Sequence, residues 1–364
     1  MGQAQLWLYP RGAQPSPRTH ANRIALVRTM TTSTHAPLLE VHDLHTHFQT
    51  RRGIVKAVDG VSLTLQQSEV VALLGESGCG KSVTALSIMG LLAQGQGTHQ
   101  TGRVLFEGKE LLGLAEIALQ RLRGHQLSMI FQEPLSSLNP VMTVGRQIAE
   151  VLVDHGLMSL AAARDKTIDL LGEVGLSDAA QRFEAYPHEL SGGMCQRISI
   201  AMAIACDPKL LIADEPTTAL DVTIQKQILQ LLSGLRERRR TSVLLITHNL
   251  GVVAENADRV LVMYAGKVIE QATVQQLFEA PAHPYTRGLI DSTPHLELEE
   301  GLLASIPGHV PDLAHLPAGC AFAPRCLYAQ SRCHTHMPDL ISHEPQRQVR
   351  CWFPLIQKAK ASTS

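Results

Sequence analysis

Hydrophobic positions in residues 38–65 come in short runs that alternate with polar ones and are broken by polar turns. This period of two predicts antiparallel strands with one buried face, and residues 103–106 predict another. Val70-Val71-Ala72-Leu73-Leu74 differs: it is continuously apolar and runs into glycines, as a parallel strand buried on both faces does. Two similar runs recur. Leu210-Leu211-Ile212-Ala213 closes on Asp214-Glu215, and Val243-Leu244-Leu245-Ile246-Thr247 closes on His248. Polar groups at the carboxyl ends of parallel strands lie where an α/β sheet binds its ligand.

From about residue 135 to 190 the pattern turns helical, for example over residues 144–153 and 161–174, and predicts an inserted helical subdomain. Beyond about residue 274 prolines and histidines accumulate, which marks an appended module. Residues 1–36 carry no periodicity. They read as a disordered extension, or as sequence upstream of a start of translation at Met30. The division expected is therefore 1–36, a core over 37–275, and a C-terminal extension over 276–364.

At 364 residues the chain exceeds one ordinary domain, and a net charge of -1 gives no bulk attraction for nucleic acid. The apolar runs are strand-sized, shorter than the roughly 18 residues a bilayer requires. Membrane contact is therefore expected through a partner, and the cytoplasm is the expected compartment. Of seven cysteines, Cys79, Cys195 and Cys206 are scattered, whereas Cys320, Cys326, Cys333 and Cys351 crowd the end. In a cytosolic chain such crowding favours a metal site over disulfides.

Gly75-Glu76-Ser77-Gly78-Cys79-Gly80-Lys81-Ser82 fits the phosphate-binding loop G-x-x-x-x-G-K-[ST], after a buried strand and before a helical segment. Glycines let the backbone wrap a phosphate closely, and the next helix adds its positive end. Lys81 would neutralise the β- and γ-phosphates, and the Ser82 hydroxyl would take one position on Mg²⁺. Asp214 can hold the Mg²⁺ shell and Glu215 can polarise the attacking water, against the plainer reading of two solvated acids. His248 is placed to contact the γ-phosphate. Gln132 can touch Mg²⁺ or the water and report on them to the helical insertion. Ser191-Gly192-Gly193 is either an ordinary helix cap or an anion site at a helix tip.

These elements resemble, in order, those of ABC transporter nucleotide-binding domains. The Walker A loop corresponds to Gly75 through Ser82, Walker B ends at Asp214-Glu215, and the signature is Leu190-Ser191-Gly192-Gly193. Gln132 matches the Q-loop, Ala219-Leu220-Asp221 the D-loop and His248 the switch histidine. The resemblance implies an α/β P-loop fold with an antiparallel β subdomain and a helical subdomain. It also implies ATP and Mg²⁺ as ligands, and a head-to-tail dimer in which Ser191, Gly192 and Gly193 close on ATP held by the other subunit. Phe48 occupies the place of the adenine-stacking aromatic, with core burial as the competing explanation.

Glu184-Ala185-Tyr186-Pro187-His188-Glu189-Leu190, Leu220-Asp221-Val222-Thr223-Ile224-Gln225 and His283-Pro284-Tyr285-Thr286-Arg287-Gly288-Leu289 narrow the likeness to ATP-binding subunits of dipeptide/oligopeptide permeases. That subfamily implies a second related ATPase, or a second copy, together with two permease subunits and a solute-binding protein at the cytoplasmic face of the inner membrane. Import of another solute, such as a nickel complex or a glycoside, and a non-transport ABC ATPase are the alternatives. The four terminal cysteines supply enough thiolates for one tetrahedral zinc site or one [4Fe-4S] cluster. Spacing leaves both open; the resemblance through Gly319-Cys320-Ala321-Phe322-Ala323-Pro324-Arg325-Cys326 implies the cluster.

Overall fold

The computed structural model describes residues 36–92, 97–218, 220–293 and 305–356. The N-terminal extension, apart from Ala36, and Ala219 of the D-loop lie outside the described residues.

The chain opens with β1 (Leu39–Thr50) and β2 (Gly53–Leu65), a hairpin closed by Arg51-Arg52 with Thr50 opposite Gly53. Next come β3 (Val70–Leu74), α1 (Lys81–Ile88), β4 (Thr98–Phe106), β5 (Lys109–Glu110), α2 (Glu116–Leu122) and β6 (Leu127–Ile130). The helical insertion follows as α3 (Pro134–Ser137), α4 (Val144–Asp154), α5 (Leu160–Glu173) and α6 (Ala179–Arg182), leading to α7 (Gly192–Ile204). Then β7 (Leu210–Asp214), α8 (Val222–Arg239), β8 (Ser242–Thr247), α9 (Leu250–Asn256), β9 (Arg259–Tyr264) and β10 (Lys267–Thr273) complete the core. The chain continues through α10 (Val274–Glu279), α11 (Pro284–Asp291), α12 (Ser331–Thr335), β11 (Ile341–Glu344) and β12 (Arg347–Val349).

Two sheets result. The smaller has the antiparallel order β2-β1-β4-β5, and the larger runs β11-β12-β10-β9-β3-β8-β7-β6. In the larger sheet β6, β7, β8, β3 and β9 are parallel, whereas β10, β12 and β11 join antiparallel at one end.

The side-chain period of two lets one strand face two different cores. Leu211, Ala213, Val243 and Leu245 pack with Ile148, Leu152, Leu171 and Ile198 of the helices. Their neighbours Leu210, Ile212, Leu244 and Ile246 pack with Leu39, Val41 and Leu65 of the smaller sheet. In α4 the buried Val144, Ile148, Ala149 and Leu152 recur at helical spacing, so one stripe faces this core.

The last segment adds strands to the main sheet. The Glu270 carboxylate, buried on β10, accepts from Ala282 N at 2.9 Å, His283 N at 2.8 Å and Arg347 Nη2 at 3.2 Å. A buried carboxylate is tolerable when its oxygens are satisfied by a cation and amides in this way.

The strands over residues 259–273 and 341–349 were not anticipated from the pattern, and the strand expected over residues 103–106 begins earlier, at Thr98. The polar stretch Thr98-His99-Gln100-Thr101 has no apolar alternation; pairing with β1 holds it extended.

Candidate functional site

Four adjacent parallel strands end level with one another, and each delivers polar groups just beyond its last apolar residue. Leu74 lies opposite Thr247, and Asp214 opposite Ile246. β3 leads to the glycine-rich loop, β8 to His248, β7 ends in Asp214 before Glu215, and β6 leads to Gln132.

Glu215 is where they meet. Its Oε2 accepts from Gln132 Nε2 at 3.3 Å and from Thr218 Oγ1 at 2.9 Å. Its Oε1 lies 3.2 Å from His248 Nδ1 and 3.9 Å from Lys81 Nζ. The Glu215 backbone is left-handed, with φ 46°, and is pinned by its N–H donating to Ile246 O at 2.9 Å. Such a conformation is uncommon for a residue bearing a Cβ and persists where its surroundings over-determine it.

In the loop, a Cβ on Gly75 would stand 2.4 Å from Met263 O, and one on Gly80, at φ +106°, would stand 2.1 Å from Ala57 O. Both positions therefore require glycine. Ser77 and Gly78 are exposed at the tip, Cys79 is buried, and burial pushes its thiol pKa up. That makes Cys79 a packing residue, its side chain part of the core between the two sheets. Lys81 is buried at the start of α1 and donates to Gly75 O at 2.8 Å and Glu76 O at 3.0 Å. A phosphate oxygen is an acceptor of the same kind with full charge.

Asp214 is buried beside Ser82. Burial raises its pKa and the Glu215 charge adds to this, while the Ser82 hydroxyl and Lys81 oppose them. Its Oδ1 is buried without a hydrogen-bond partner among the described residues. A carboxylate oxygen left unsatisfied next to a hydroxyl suits a hard divalent cation such as Mg²⁺.

Ser191 caps α7, its hydroxyl accepting from Met194 N at 3.4 Å, and Asp221 caps α8, accepting from Ile224 N at 2.9 Å. The two helix starts abut: a Cβ on Gly193 would lie 3.3 Å from Ile224 Cγ2, whereas one on Gly192 meets open space. Ser191, Gly192 and Asp221 are exposed. Phe48 is half-buried on β1, opposite Val55 and Thr98.

The ABC transporter family profile matches residues 58–218, and that of the oligopeptide/dipeptide transporter C-terminal region matches residues 269–333. The oligopeptide transport ATP-binding protein AppD of Bacillus subtilis is 52% identical over 316 residues, spanning 87% of this chain and 96% of that protein. The chain belongs to the oligopeptide/dipeptide class of ABC transporter ATP-binding proteins. It is an ABC ATPase. The dipeptide transport ATP-binding protein DppD of the same organism is 49% identical, covering 87% of this chain and 94% of its own length. A dimeric structure of the ATP-binding cassette MJ0796 bound to ADP and Pi superposes with a TM-score of 0.59 at 26% identity, covering 65% of this chain and 98% of that one.

This ABC ATPase also uses residues that pattern reading missed. Arg325 donates to the Glu76 carboxylate through Nη1 at 2.9 Å and Nη2 at 3.2 Å, and to Tyr264 OH at 3.3 Å. Tyr285 OH accepts from Glu76 N at 3.0 Å. Glu76 therefore braces the loop from behind through its side chain and amide. Arg325 and Tyr285 fall inside motifs that marked the subfamily, yet nothing in the sequence ties them to a residue more than 200 positions earlier.

Cys320, Cys326, Cys333 and Cys351 line one cavity, with His283, Phe322 and Trp352 among its walls. All four are free thiols. Burial raises the pKa of Cys320 and Cys326 and pushes Cys351 up to about 12, with the other thiols adding to the effect at Cys351. Thiols this reluctant to ionise alone are those a cation would convert to thiolates on binding.

Proposed function

We propose that this ATPase energises the import of dipeptides or oligopeptides from the cytoplasmic face of the membrane. Its partners would be two permease subunits, a solute-binding protein, and a second ATPase subunit that is a related chain or another copy. The observation that carries the hydrolytic part is the Glu215 carboxylate, held between Gln132, His248 and Lys81 at the ends of four parallel strands. The peptide class rests on the C-terminal region profile and on relatives named for oligopeptide and dipeptide transport.

In this reading the backbone from Gly75 to Gly80 wraps the phosphates, Lys81 neutralises the β- and γ-oxygens, and Phe48 offers a ring face to the base. Ser82, Asp214 and Gln132 would hold Mg²⁺, which supplies charge neutralisation between the phosphates when bound. Glu215 accepts a proton from the attacking water, and His248 orients that water against the γ-phosphate. Ser191, Gly192 and Gly193, at the tip of α7, close on nucleotide held by the opposite subunit, with Asp221 beside them. Residues 37–275 form the ATP-binding unit and 276–364 the extension that carries the cysteines.

The cysteine cavity is assigned to a [4Fe-4S] cluster. Among the described residues, the cysteines do not form a group of three donors within 4.8 Å of one another. A closed zinc site, with Zn–S bonds of about 2.3 Å, draws its sulfurs to roughly 3.8 Å apart. A cubane bound at its outer corners accommodates a wider set. Iron and sulfide analysis of anaerobically purified protein tests this, and stoichiometric zinc with no iron would reverse it.

Co-purification from membranes followed by ATPase assays in the presence of candidate solutes tests the transport reading. Permease subunits and stimulation by short peptides are expected. Stimulation by glycosides or nickel complexes and not by peptides would overturn the substrate class.

A further inference from the structure

A second cluster lies on the smaller sheet, apart from the nucleotide and cysteine residues. His45 and His47 lie two positions apart on β1, and Asp59 faces them from β2, where it pairs directly with His45. His45 Nδ1 and His47 Nε2 approach the same Asp59 oxygen, Oδ1, at 3.1 Å and 3.2 Å. The other oxygen, Oδ2, is taken by Lys267 Nζ at 2.7 Å. One donor atom from each of the three residues lies within 4.8 Å of the other two.

The opposite edge of His45 decides how this cluster is read. His45 Nε2 is 3.2 Å from Asp43 Oδ1. A neutral imidazole has one N–H, and giving it to Asp43 leaves the Nδ1 lone pair aimed at the Asp59 carboxylate. Two acceptors facing one another at 3.1 Å call for a positive charge between them. A metal-bound histidine typically has this arrangement, its second ring nitrogen donating to a carboxylate that fixes the tautomer. Zinc bonds of about 2.0–2.1 Å place tetrahedral ligand atoms roughly 3.3 Å apart, close to the two nitrogen–oxygen separations of 3.1 Å and 3.2 Å. Gly60, at φ +80°, makes room: a Cβ there would stand 3.3 Å from Asp43 Oδ1.

We propose that His45 Nδ1, His47 Nε2 and Asp59 Oδ1 form a three-ligand site for a zinc-type divalent ion, with Asp43 as the orienting carboxylate of His45. The fourth position is open to water, since the three side chains are 28%, 23% and 14% exposed. The site borders the nucleotide loop. Asp59 N donates to Gly266 O at 2.9 Å, and Gly266 N donates to Cys79 O at 2.9 Å.

The test dialyses the full chain and its His45→Gln/His47→Gln variant against buffered Zn²⁺ and measures bound metal, with retained ATP binding as the control for folding. The parent should hold one zinc more than the variant, whatever the cysteine cavity contains. X-ray absorption on that extra zinc should give nitrogen and oxygen ligands, and Asp43→Asn should weaken its binding about 10- to 100-fold. Equal zinc in the two proteins, or a sulfur-only spectrum for the difference, would overturn the site and leave His45 as an imidazolium between two carboxylates. An unchanged affinity in Asp43→Asn would remove the orienting role.

Discussion

The chemistry of single residues is set by what surrounds them. Glu215 is held in place by four side chains, Gln132, Thr218, His248 and Lys81, and by its own strained backbone, so Glu215→Gln should keep the geometry while removing the proton acceptor. Turnover should fall by about 10²–10⁴ with ATP affinity little changed, as single-turnover kinetics and equilibrium binding can establish. Retained hydrolysis in that variant would displace Glu215 as the base. His283 titrates abnormally for a different reason: complete burial lowers its pKa from 6.5 to about 3. Its Nδ1 accepts from Tyr285 N at 3.0 Å, so the folded protein requires the neutral ring. The unfolded chain then binds the extra proton first. This contribution to stability is full above about pH 6.5 and is lost progressively as pH falls from there towards 3. Acidification from pH 7 to pH 5 should cost about 2 kcal/mol through this residue. His283→Asn, which keeps a cap acceptor, should flatten that part of the pH dependence of denaturant unfolding.

At the scale of elements, glycines and caps decide where helices begin. α1 starts where it does because Gly80 passes against Ala57 O, so Gly80→Ala should both strain the backbone and displace β2 from the loop. Nucleotide binding should be lost, and thermal unfolding should reveal destabilisation of several kcal/mol. An alanine variant that bound ATP normally would contradict the close approach. α7 offers a subtler case. Ser191→Ala removes a cap worth about 1 kcal/mol, but its larger expected effect is on hydrolysis, which should drop while ATP binding by the single chain persists. Equal loss of binding and hydrolysis would place Ser191 in the pocket of its own chain.

Across the whole molecule, a charged contact between Arg325 and Glu76 ties the C-terminal segment to the nucleotide loop, beside the hydrogen bond from Glu76 N to Tyr285 OH. Arg325 is 7% exposed and its Glu76 partner 24%. Removing one partner leaves a shielded charge without compensation. Arg325→Met and Glu76→Gln should each destabilise by on the order of 2 kcal/mol. The double variant should lose less than the sum of the two, by about 1 kcal/mol or more in a thermodynamic cycle. Strict additivity would show that the segment packs beside the loop without energetic coupling to it.

The sequence by itself determined three of the parallel core strands, β3, β7 and β8, together with the glycine loop and the polar group that follows each of them. These are local signals: an unbroken apolar run, a fixed glycine spacing, a charge at a strand end. The helical insertion was legible for the same reason, through the 3.6-residue period of residues such as Ile148 and Leu152. Only the tertiary structure decided that Gln132, His248 and Lys81 converge on one carboxylate, that Arg325 reaches Glu76, and that His45, His47 and Asp59 share one oxygen. Strand order, register and long-range docking bring those groups together. Such contacts depend on side chains far apart in the chain, and no local period records them.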